Sequence, residues 1–335
     1  SHLKYYIKNT KHPQIDFNRN YLIKIRMSHT GLTDVQLQEV YNGERGEAFD
    51  RLILSLLRKG KLSKAMTKKV YDKELFSQMF THRSVNEQLN YEFHEFLGDL
   101  VVNKSIGQYL SRRFPQLRCP EGVRVITRLK INLVSKKVLA EVAESLGFWD
   151  FISATMEYRM TKKKPMMEDC FEAIMGMIEQ QIDEKCCKLD KAGRVTSGGG
   201  YKVCYNIIQT ILDTYPICGG LPGADGVQAG LLDYLLLVDP KTRLKELFDS
   251  RKTELGKVKY RSERDGRLCH TTVFAENGQS SRGMRFSQPM QLGTGTAALQ
   301  ADSQQAAAKM GLTFLKKQGI TKAMPPFYQK FCKRV

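Results

Sequence analysis

Two acidic stretches decide the fold: residues 92–99 read EFHEFLGD, and residues 168–176 read EDCFEAIMG. Helical spacing places two carboxylates on one face of each stretch: Glu95 with Asp99, and Asp169 with Glu172. Both stretches are rich in apolar residues, among which a carboxylate is costly unless it is paired or binds a metal. The pattern predicts two packed helices that share an acidic site.

Glycines accompany both acidic pairs. Gly98 and Gly176 fall on roughly the same helical faces as the carboxylates, so the two helices can approach closely there. Four carboxylates brought together would not all stay ionised without a cation. Such hard oxygen ligands suit Mg²⁺ or Mn²⁺, which can activate water and stabilise a leaving oxygen in phosphodiester hydrolysis. The alternative from spacing alone is two solvated helix faces that carry surface ion pairs.

The rest of the chain is strongly basic. Its 335 residues carry a formal net charge of +18, so the expected partners are polyanions: RNA, DNA or an anionic membrane. Membrane is the weakest of these, because no basic amphipathic helix stands out in the sequence. Charge alone does not prove enzymatic activity, since a ribosomal protein would show the same balance. Together with four carboxylates, however, it indicates metal-assisted cutting of a phosphate backbone.

The eight cysteines show no metal-ligand spacing. Cys186 and Cys187 are adjacent, no CxxC motif occurs, and the six histidines are scattered away from the thiols. Such thiols are typical of a reduced, intracellular protein, and the expected location is the cytoplasm.

Composition breaks divide the chain into five predicted segments: an N-terminal helical region or arm (1–65), an almost entirely helical domain (66–216), a linker (217–238), an α+β module (239–320) and a basic C-terminal tail (321–335). The helical spacing of apolar residues recurs in four stretches of the second segment: Tyr91–Leu110, Arg124–Leu146, Met166–Ile182 and Tyr201–Thr214. The expected fold class is therefore mostly α.

From Asp239 the pattern changes to one helix, three strands and a second helix. Asp239–Phe248 is an amphipathic helix with a capping Asp and a Pro in its first turn. Three strands and an Ala-rich helix are predicted after it: Lys257–Arg261, Leu268–Glu276, Gly283–Leu292 and Ala301–Lys317. This order predicts a compact α-β-β-β-α module.

The acidic strings resemble the signatures of the ribonuclease III family. The first signature, roughly ERLEFLGD, stands here as residues 92–99, and the second, roughly DxFEAxxG, stands as residues 169–176. Residues 80–84, FTHRS, look like the family's entry motif, and the string from Thr127 to Glu141 looks like its middle helices. The matches follow the family's order, which makes the resemblance specific.

The resemblance implies an all-helical endonuclease domain that hydrolyses double-stranded RNA with Mg²⁺, for which Mn²⁺ can substitute. It implies that four carboxylates are both catalytic and metal-binding: Glu95, Asp99, Asp169 and Glu172. Glu92 and Glu141 would be accessory carboxylates near the dimer interface or the cutting site. The family builds its cleft from two copies of the domain, each cutting one strand, and this chain carries one copy. The resemblance therefore implies a homodimer whose products have 5′-phosphates and short 3′ overhangs.

Two positions depart from the eukaryotic members of the family. Those members tend to carry a Lys four residues before the second-signature Asp and an Asn pair after a Leu-Val, where this chain has Pro165 and Ser135-Lys136. The departures argue against a close relative of Dicer or of the nuclear rRNA-processing enzymes. Residues 295–302, GTAALQAD, look most like ribonuclease III of large DNA viruses, for which the host cytoplasm is the expected location.

Residues 239–320 resemble a double-stranded RNA-binding domain. The matching strings are PKTRLKE at 240–246, Gly266 followed by His270, GTG at 293–295 and AAA at 306–308. Six residues are the expected RNA contacts: Lys241, Thr242, Lys245, Glu246, His270 and Lys309. The last helix lacks the Lys pair that the family usually aims at phosphates, so we expect weaker RNA binding by this module alone.

Three functions remain open at this point. The first is a Mg²⁺-dependent, double-strand-specific endoribonuclease, which the complete set of four carboxylates favours. The second is a non-catalytic RNA-binding or mitochondrial ribosomal protein on the same fold, which would have no reason to keep that set. The third is a silencing suppressor that sequesters RNA duplexes, against which the missing Lys pair speaks. Under each of these three functions, the C-terminal module could have a packing role only.

Overall fold

The computed structural model describes residues 21–25, 37–186, 199–217, 231–276 and 289–333. The chain forms two compact units, residues 1–109 with 133–213 and residues 110–132 with 214–335. Residues 110–132 of the predicted helical domain therefore belong to the second unit.

The first unit contains a small antiparallel sheet. β1 (Tyr21–Ile25) pairs with β2 (Leu37–Tyr41), and β2 pairs with β3 (Ala154–Thr155). The predicted helical N-terminal region thus contains two strands as well as a helix. The strands escape detection because they are short and because β3, the second neighbour of β2, comes from a distant part of the chain.

Helices make up most of the predicted nuclease domain. Their bounds are α1 (Glu47–Lys59), α2 (Lys64–Val70), α3 (Lys73–Gln78), α4 (Glu92–Arg113), α5 (Gly122–Leu133), α6 (Lys136–Ser145), α7 (Met156–Thr161), α8 (Lys163–Cys186) and α9 (Gly199–Leu212). The mostly helical fold class is thereby confirmed. None of the helices in the described ranges is both long and apolar enough to cross a membrane.

The predicted helical stretch Arg124–Leu146 is two helices, α5 and α6. The break lies at Ser135, whose backbone is extended and whose hydroxyl accepts a hydrogen bond from the backbone N–H of Val138 at 3.4 Å. A serine in this position caps the helix that follows it, because its side chain satisfies a free N–H of the first turn.

An aromatic cluster attaches α8 to the core of the first unit. The rings of Phe49 and Phe80 are 5.2 Å apart, those of Phe80 and Phe148 are 5.1 Å apart, and Phe148 lies 6.4 Å from Phe171 of α8. All four side chains are buried. Burial of each such ring contributes roughly 1.5–3 kcal/mol, and Phe171 lies between two of the acidic residues, so this packing fixes the acidic segment of α8.

The two acidic helices touch at their glycines. A Cβ added to Gly98 of α4 would overlap the backbone carbonyl of Glu172 in α8. A Cβ added to Gly176 would overlap the carbonyl oxygen of His94 and come within 2.7 Å of the backbone nitrogen of Gly98. The close approach expected from the two glycines is confirmed, and any larger side chain would force the helices apart.

The second unit contains the predicted α-β-β-β-α module. Its elements are α11 (Pro240–Ser250), α12 (Lys252–Leu255), β4 (Lys257–Asp265), β5 (Leu268–Glu276), β6 (Met290–Ala297) and α13 (Gln300–Lys317), preceded by α10 (Tyr234–Leu237). The strands form one antiparallel sheet in the order β4-β5-β6. Asp239 caps α11 by accepting a hydrogen bond from the backbone N–H of Thr242 at 2.9 Å, as expected from the sequence.

The third strand lies further along the chain than predicted. It covers Met290–Ala297 instead of Gly283–Leu292, and residues 283–288 of the prediction lie outside the described residues. Two of its positions are glycines that pack against α13: a Cβ on Gly293 would lie 2.7 Å from the Cβ of Met310, and one on Gly295 would overlap the carbonyl oxygen of Ser303. These glycines mark a close strand–helix contact, and a strand interior rich in glycine is difficult to predict.

The described parts of the predicted linker and tail pack against each other. The backbone N–H of Leu232 donates to the carbonyl of Phe331 at 2.9 Å, and that of Lys333 donates to the carbonyl of Leu232 at 2.8 Å. The rings of Tyr234 and Tyr328, the latter in α14 (Pro326–Gln329), are 5.2 Å apart. The described residues of these two segments are therefore part of the packing of the second unit.

We predict that Gly98→Ala lowers the free energy of unfolding by about 3 kcal/mol, the cost of overpacking a tight contact. Gly107→Ala in the same helix is the matched control, because a Cβ there meets nothing within 4 Å. That change should stabilise the protein by about 0.5–1 kcal/mol through helix propensity. Urea unfolding of both variants measures the difference, and equal effects would show that the helices do not depend on the glycine contact.

Candidate functional site

The four predicted carboxylates lie on the two helices that meet at the glycines. Glu95 and Asp99 belong to α4, whereas Asp169 and Glu172 belong to α8. Because the backbone of Glu172 touches Gly98, the two pairs lie beside the helix contact. The Glu172 side chain is buried, Glu95 and Asp169 are half-buried, and Asp99 is exposed. The structure therefore places both pairs at one location on the first unit.

Burial and mutual repulsion raise the pKa values of three of these carboxyls. Burial, followed by the charges of Glu168 and Asp99, raises the pKa of Glu172 from 4.5 to about 8. Burial, followed by the charge of Asp169, raises the pKa of Glu95 from 4.5 to about 7. The pKa of Asp169 rises from 3.8 to about 6, first through burial and then through the charge of Glu168. With a pKa of about 8, Glu172 retains its proton near neutral pH unless a cation neutralises the surrounding charge.

Two polar side chains orient the carboxylates. The amide of Asn103 donates hydrogen bonds to Oδ1 of Asp99 at 2.7 Å and to its backbone carbonyl at 2.9 Å. The hydroxyl of Tyr91 donates to Oδ2 of Asp169 across a longer distance of 3.4 Å. Such contacts restrict the rotamers of the acidic side chains and so pre-set the direction of their oxygens.

The predicted accessory carboxylates differ in their surroundings. Glu92 is exposed at the start of α4, pairs with Arg83 at 3.2 Å and contributes to the raised pKa of Glu95. Glu141 lies exposed on α6, the helix that packs along α8. The structure thus places Glu92 in the electrostatic field of the four carboxylates and Glu141 on a neighbouring helix.

A fifth carboxylate and a lysine at this site escaped the sequence analysis. Glu168 is buried directly before Asp169, and its Oε2 atom accepts a hydrogen bond from Nζ of Lys136 at 2.8 Å. Glu168 could have been noticed from its place in the second acidic string. Lys136 had been noted only as part of a departure from the family pattern, and no spacing in the sequence connects it with that string.

The donor set at this location fits a hard divalent cation. All four predicted ligands are carboxylates, which is the ligand class that Mg²⁺ and Mn²⁺ prefer. In the described ranges no three His, Cys, Asp or Glu side chains are drawn together as they would be around an ion. The raised pKa values supply the physical reason for a cation, because a positive charge here would relieve the repulsion among Glu95, Asp169 and Glu172.

In the second unit, two of the expected RNA contacts are bonded within the module. Nζ of Lys241 donates to the side-chain oxygen of Gln304 and lies 5.1 Å from the centre of the Tyr260 ring. The hydroxyl of Thr242 donates to Oδ2 of Asp239 at 2.6 Å. These bonds join the start of α11 to its cap and to α13.

The remaining expected contacts are distributed over three elements. Glu246 of α11 pairs with Lys322 at 3.4 Å and is half-buried. Nδ1 of His270 lies 2.9 Å from the hydroxyl of Thr296, on the exposed side of β5. Lys245 and Lys309 are exposed. The sequence missed Lys322 because it lies beyond the module's last helix.

Comparison with known proteins places this geometry in a family. Residues 92–181, which include both acidic pairs, match the family model described as the ribonuclease III domain. A protein of Invertebrate iridescent virus 6 assigned as a ribonuclease 3 is 36% identical over 299 residues, which cover 87% of this chain and 96% of that protein. A Frog virus 3 protein with the same assignment is 33% identical over 266 residues, covering 79% of this chain and 62% of that protein.

The nuclease domain of ribonuclease III from Campylobacter jejuni is a similar solved structure, with a TM-score of 0.36 and 25% identity, covering 48% of this chain and 94% of that domain. The iridescent-virus relative matches this chain over nearly its whole length, so the chain belongs to the ribonuclease III family. It is an endoribonuclease of that type. The expected similarity to the proteins of large DNA viruses is confirmed.

We predict that, in EDTA, the free energy of unfolding falls as pH rises from about 4.5 to about 8. Because the pKa of Glu172 is raised from 4.5 to about 8 in the folded protein, the folded state binds more protons than the unfolded state in this window, and stability decreases with pH. Urea unfolding at a series of pH values measures the decline.

Glu172→Gln should make this decline shallower, since glutamine has no proton to lose, although Glu95 and Asp169 still contribute to it. Added Mg²⁺ should offset the decline in the wild type. Glu74→Gln, an exposed change on α3, is the control and should leave the slope unchanged. A slope in Glu172→Gln equal to that of the wild type would assign the decline to other groups.

Proposed function

We propose that this chain is a Mg²⁺-dependent endoribonuclease that cuts double-stranded RNA, with Mn²⁺ able to substitute. The observation that carries the proposal is that both carboxylate pairs lie beside the glycine contact between α4 and α8, with three pKa values raised by burial and by neighbouring charges. A protein that only binds RNA would gain nothing from carboxylates that repel both one another and the phosphates of the nucleic acid.

In the proposed mechanism, four carboxylates would hold the divalent ion: Glu95, Asp99, Asp169 and Glu172. When bound, the ion would supply a positive charge and a Lewis acid for phosphodiester hydrolysis. The protein's own part is to orient these ligands. Asn103 fixes Asp99, and Tyr91 donates toward Asp169, so that the carboxylate oxygens are directed before RNA arrives.

The proposed substrate is double-stranded RNA because of the charge balance and the second unit. The net charge of +18 favours a polyanion, and the α-β-β-β-α module resembles a domain that reads A-form RNA through its 2′-hydroxyls and phosphates. Lys245, His270 and Lys309 are exposed for such contacts. Products with 5′-phosphates and short 3′ overhangs are proposed on the basis of the family resemblance.

We further propose that the enzyme is a homodimer formed through the exposed face of α4. Three large apolar residues of α4 lie at helical spacing and are each more than half exposed: Phe93 (61%), Phe96 (65%) and Leu100 (57%). Leu89 (52%), just before the helix, is exposed as well. An exposed apolar stripe of this size marks an interaction surface. A second copy seated on it would bring another set of carboxylates near the first, as cutting of two strands requires.

We predict that the purified chain cuts long double-stranded RNA in Mg²⁺ and leaves single-stranded RNA and double-stranded DNA intact. EDTA should abolish cutting, and Glu172→Gln should slow it by about 100- to 1000-fold, the usual effect of weakening the electrostatic stabilisation of the transition state. Gel analysis of the products measures both, with Glu74→Gln as the control variant. Intact duplex after incubation with the wild type in Mg²⁺ or Mn²⁺ would favour the non-catalytic RNA-binding alternative.

We predict that Phe96→Asp converts the protein from dimer to monomer in sedimentation velocity, because a charge cannot be buried in an apolar interface without a partner. Met160→Asp is the matched control, since Met160 is 76% exposed on α7 and outside the stripe. A dimer that persists in Phe96→Asp, or a monomeric wild type, would contradict the proposed interface.

A further inference from the structure

We propose that Lys136 is a further RNA-contacting residue of this site and that its ammonium donates to a non-bridging oxygen of an RNA phosphate beside the carboxylates. The inference rests on the proposed function, because it requires RNA to lie over the acidic ends of α4 and α8. The lysine enters the site from α6, and only the fold brings it there.

The ion pair between Lys136 and Glu168 supplies the geometry. Nζ of Lys136 lies 2.8 Å from Oε2 of Glu168, and the glutamate side chain is 8% exposed whereas the lysine side chain is 71% exposed. An ammonium has three N–H donors, and the bond to Glu168 uses one of them. The buried glutamate thus fixes the position of an ammonium whose remaining donors are open to a ligand from solvent.

The ammonium lies within the electrostatic field of the predicted metal ligands. Its positive charge lowers the pKa values of Glu95 and Asp169, whereas the negative charges of the surrounding carboxylates raise them. A phosphate that approaches these carboxylates meets charge of its own sign, and a fixed cation at the edge of the cluster would attract it and hold it in place. Lys136 meets this requirement.

Two neighbouring lysines, Lys163 and Lys137, have surroundings that differ from those of Lys136. Lys163 is bonded to Glu144 at 2.7 Å and lies 5.3 Å from the centre of the Trp149 ring. Lys137 is exposed next to Lys136 in the chain. Since Lys137 carries the same charge one residue away, it provides a matched control for Lys136.

The competing explanation is that Lys136 only neutralises the buried Glu168. Removal of the lysine alone would leave a buried carboxylate without its cation, which is destabilising under either explanation. The double substitution Lys136→Met/Glu168→Gln separates the two, because it removes both charges while it keeps side chains of similar size. If neutralisation is the whole role, this variant should bind and cut RNA as the wild type does.

The test compares the wild type with Lys136→Met, Lys136→Arg, Lys137→Met and the double variant. Binding of a short RNA duplex is measured by fluorescence anisotropy in Ca²⁺, with the RNA verified to be intact, from about 50 to about 200 mM salt. Cleavage of the same duplex in Mg²⁺ gives kcat and KM, and urea unfolding verifies that each variant is folded.

We expect Lys136→Met and the double variant to bind the duplex about 10-fold more weakly, the effect of one lost charge-assisted hydrogen bond. The salt dependence of log K should also become shallower by about 0.9, which is the value for one phosphate contact. Their kcat/KM should fall about 100-fold, as when one donor to the reacting phosphate is lost. Lys136→Arg should retain most of the binding, and Lys137→Met should resemble the wild type.

Wild-type binding and cutting by the double variant would overturn the proposal, as would an equal change in salt dependence for Lys136→Met and Lys137→Met. Failure of the proposed function gives a different result from these two outcomes, because the wild type itself would then cut no RNA. If the wild type cuts no RNA, the salt dependence of binding still decides whether Lys136 contacts a phosphate.

Discussion

The close contact between α4 and α8 is the constraint on which the acidic site depends. Gly98 lies against the backbone of Glu172, and Gly176 lies against the backbone of α4 at His94. A contact of backbone with backbone leaves no space for side chains between the helices, so the acidic side chains beside it gather at one location. The aromatic cluster that holds Phe171 gives α8 a fixed position in the core. The packing of α4 against α8 therefore holds the carboxylates near one another, although their charges repel.

Burial and repulsion together raise the pKa values of the carboxyls at this site. Burial is the largest cause of each raised pKa among Glu95, Asp169 and Glu172, and neighbouring carboxylates add to it. The basic composition of the chain as a whole does not neutralise the cluster. Within the site the compensation is local, through Lys136 beside the buried Glu168. A positive charge placed among these carboxylates would relieve their repulsion.

The second unit combines an RNA-binding type of module with side chains that are already engaged. Lys241 is bonded to Gln304, and Glu246 is paired with Lys322 from the segment after the last helix. The described linker and tail segments pack on each other through Leu232 and Phe331. Along α11, Lys241 and Glu246 are thus engaged within the unit, whereas Lys245 is exposed.

The sequence by itself determined the helical class, the two acidic pairs, the glycine contact and the α-β-β-β-α order with its cap at Asp239, because these features depend on local periodicity or on the absence of a Cβ. It also contained the signatures that place the chain in its family. The tertiary structure decided the N-terminal strands, the position of β6, and the partners of Glu168 and Glu246. Each of these depends on residues that are far apart in the chain and adjacent only after folding, and local spacing carries no information about such pairs.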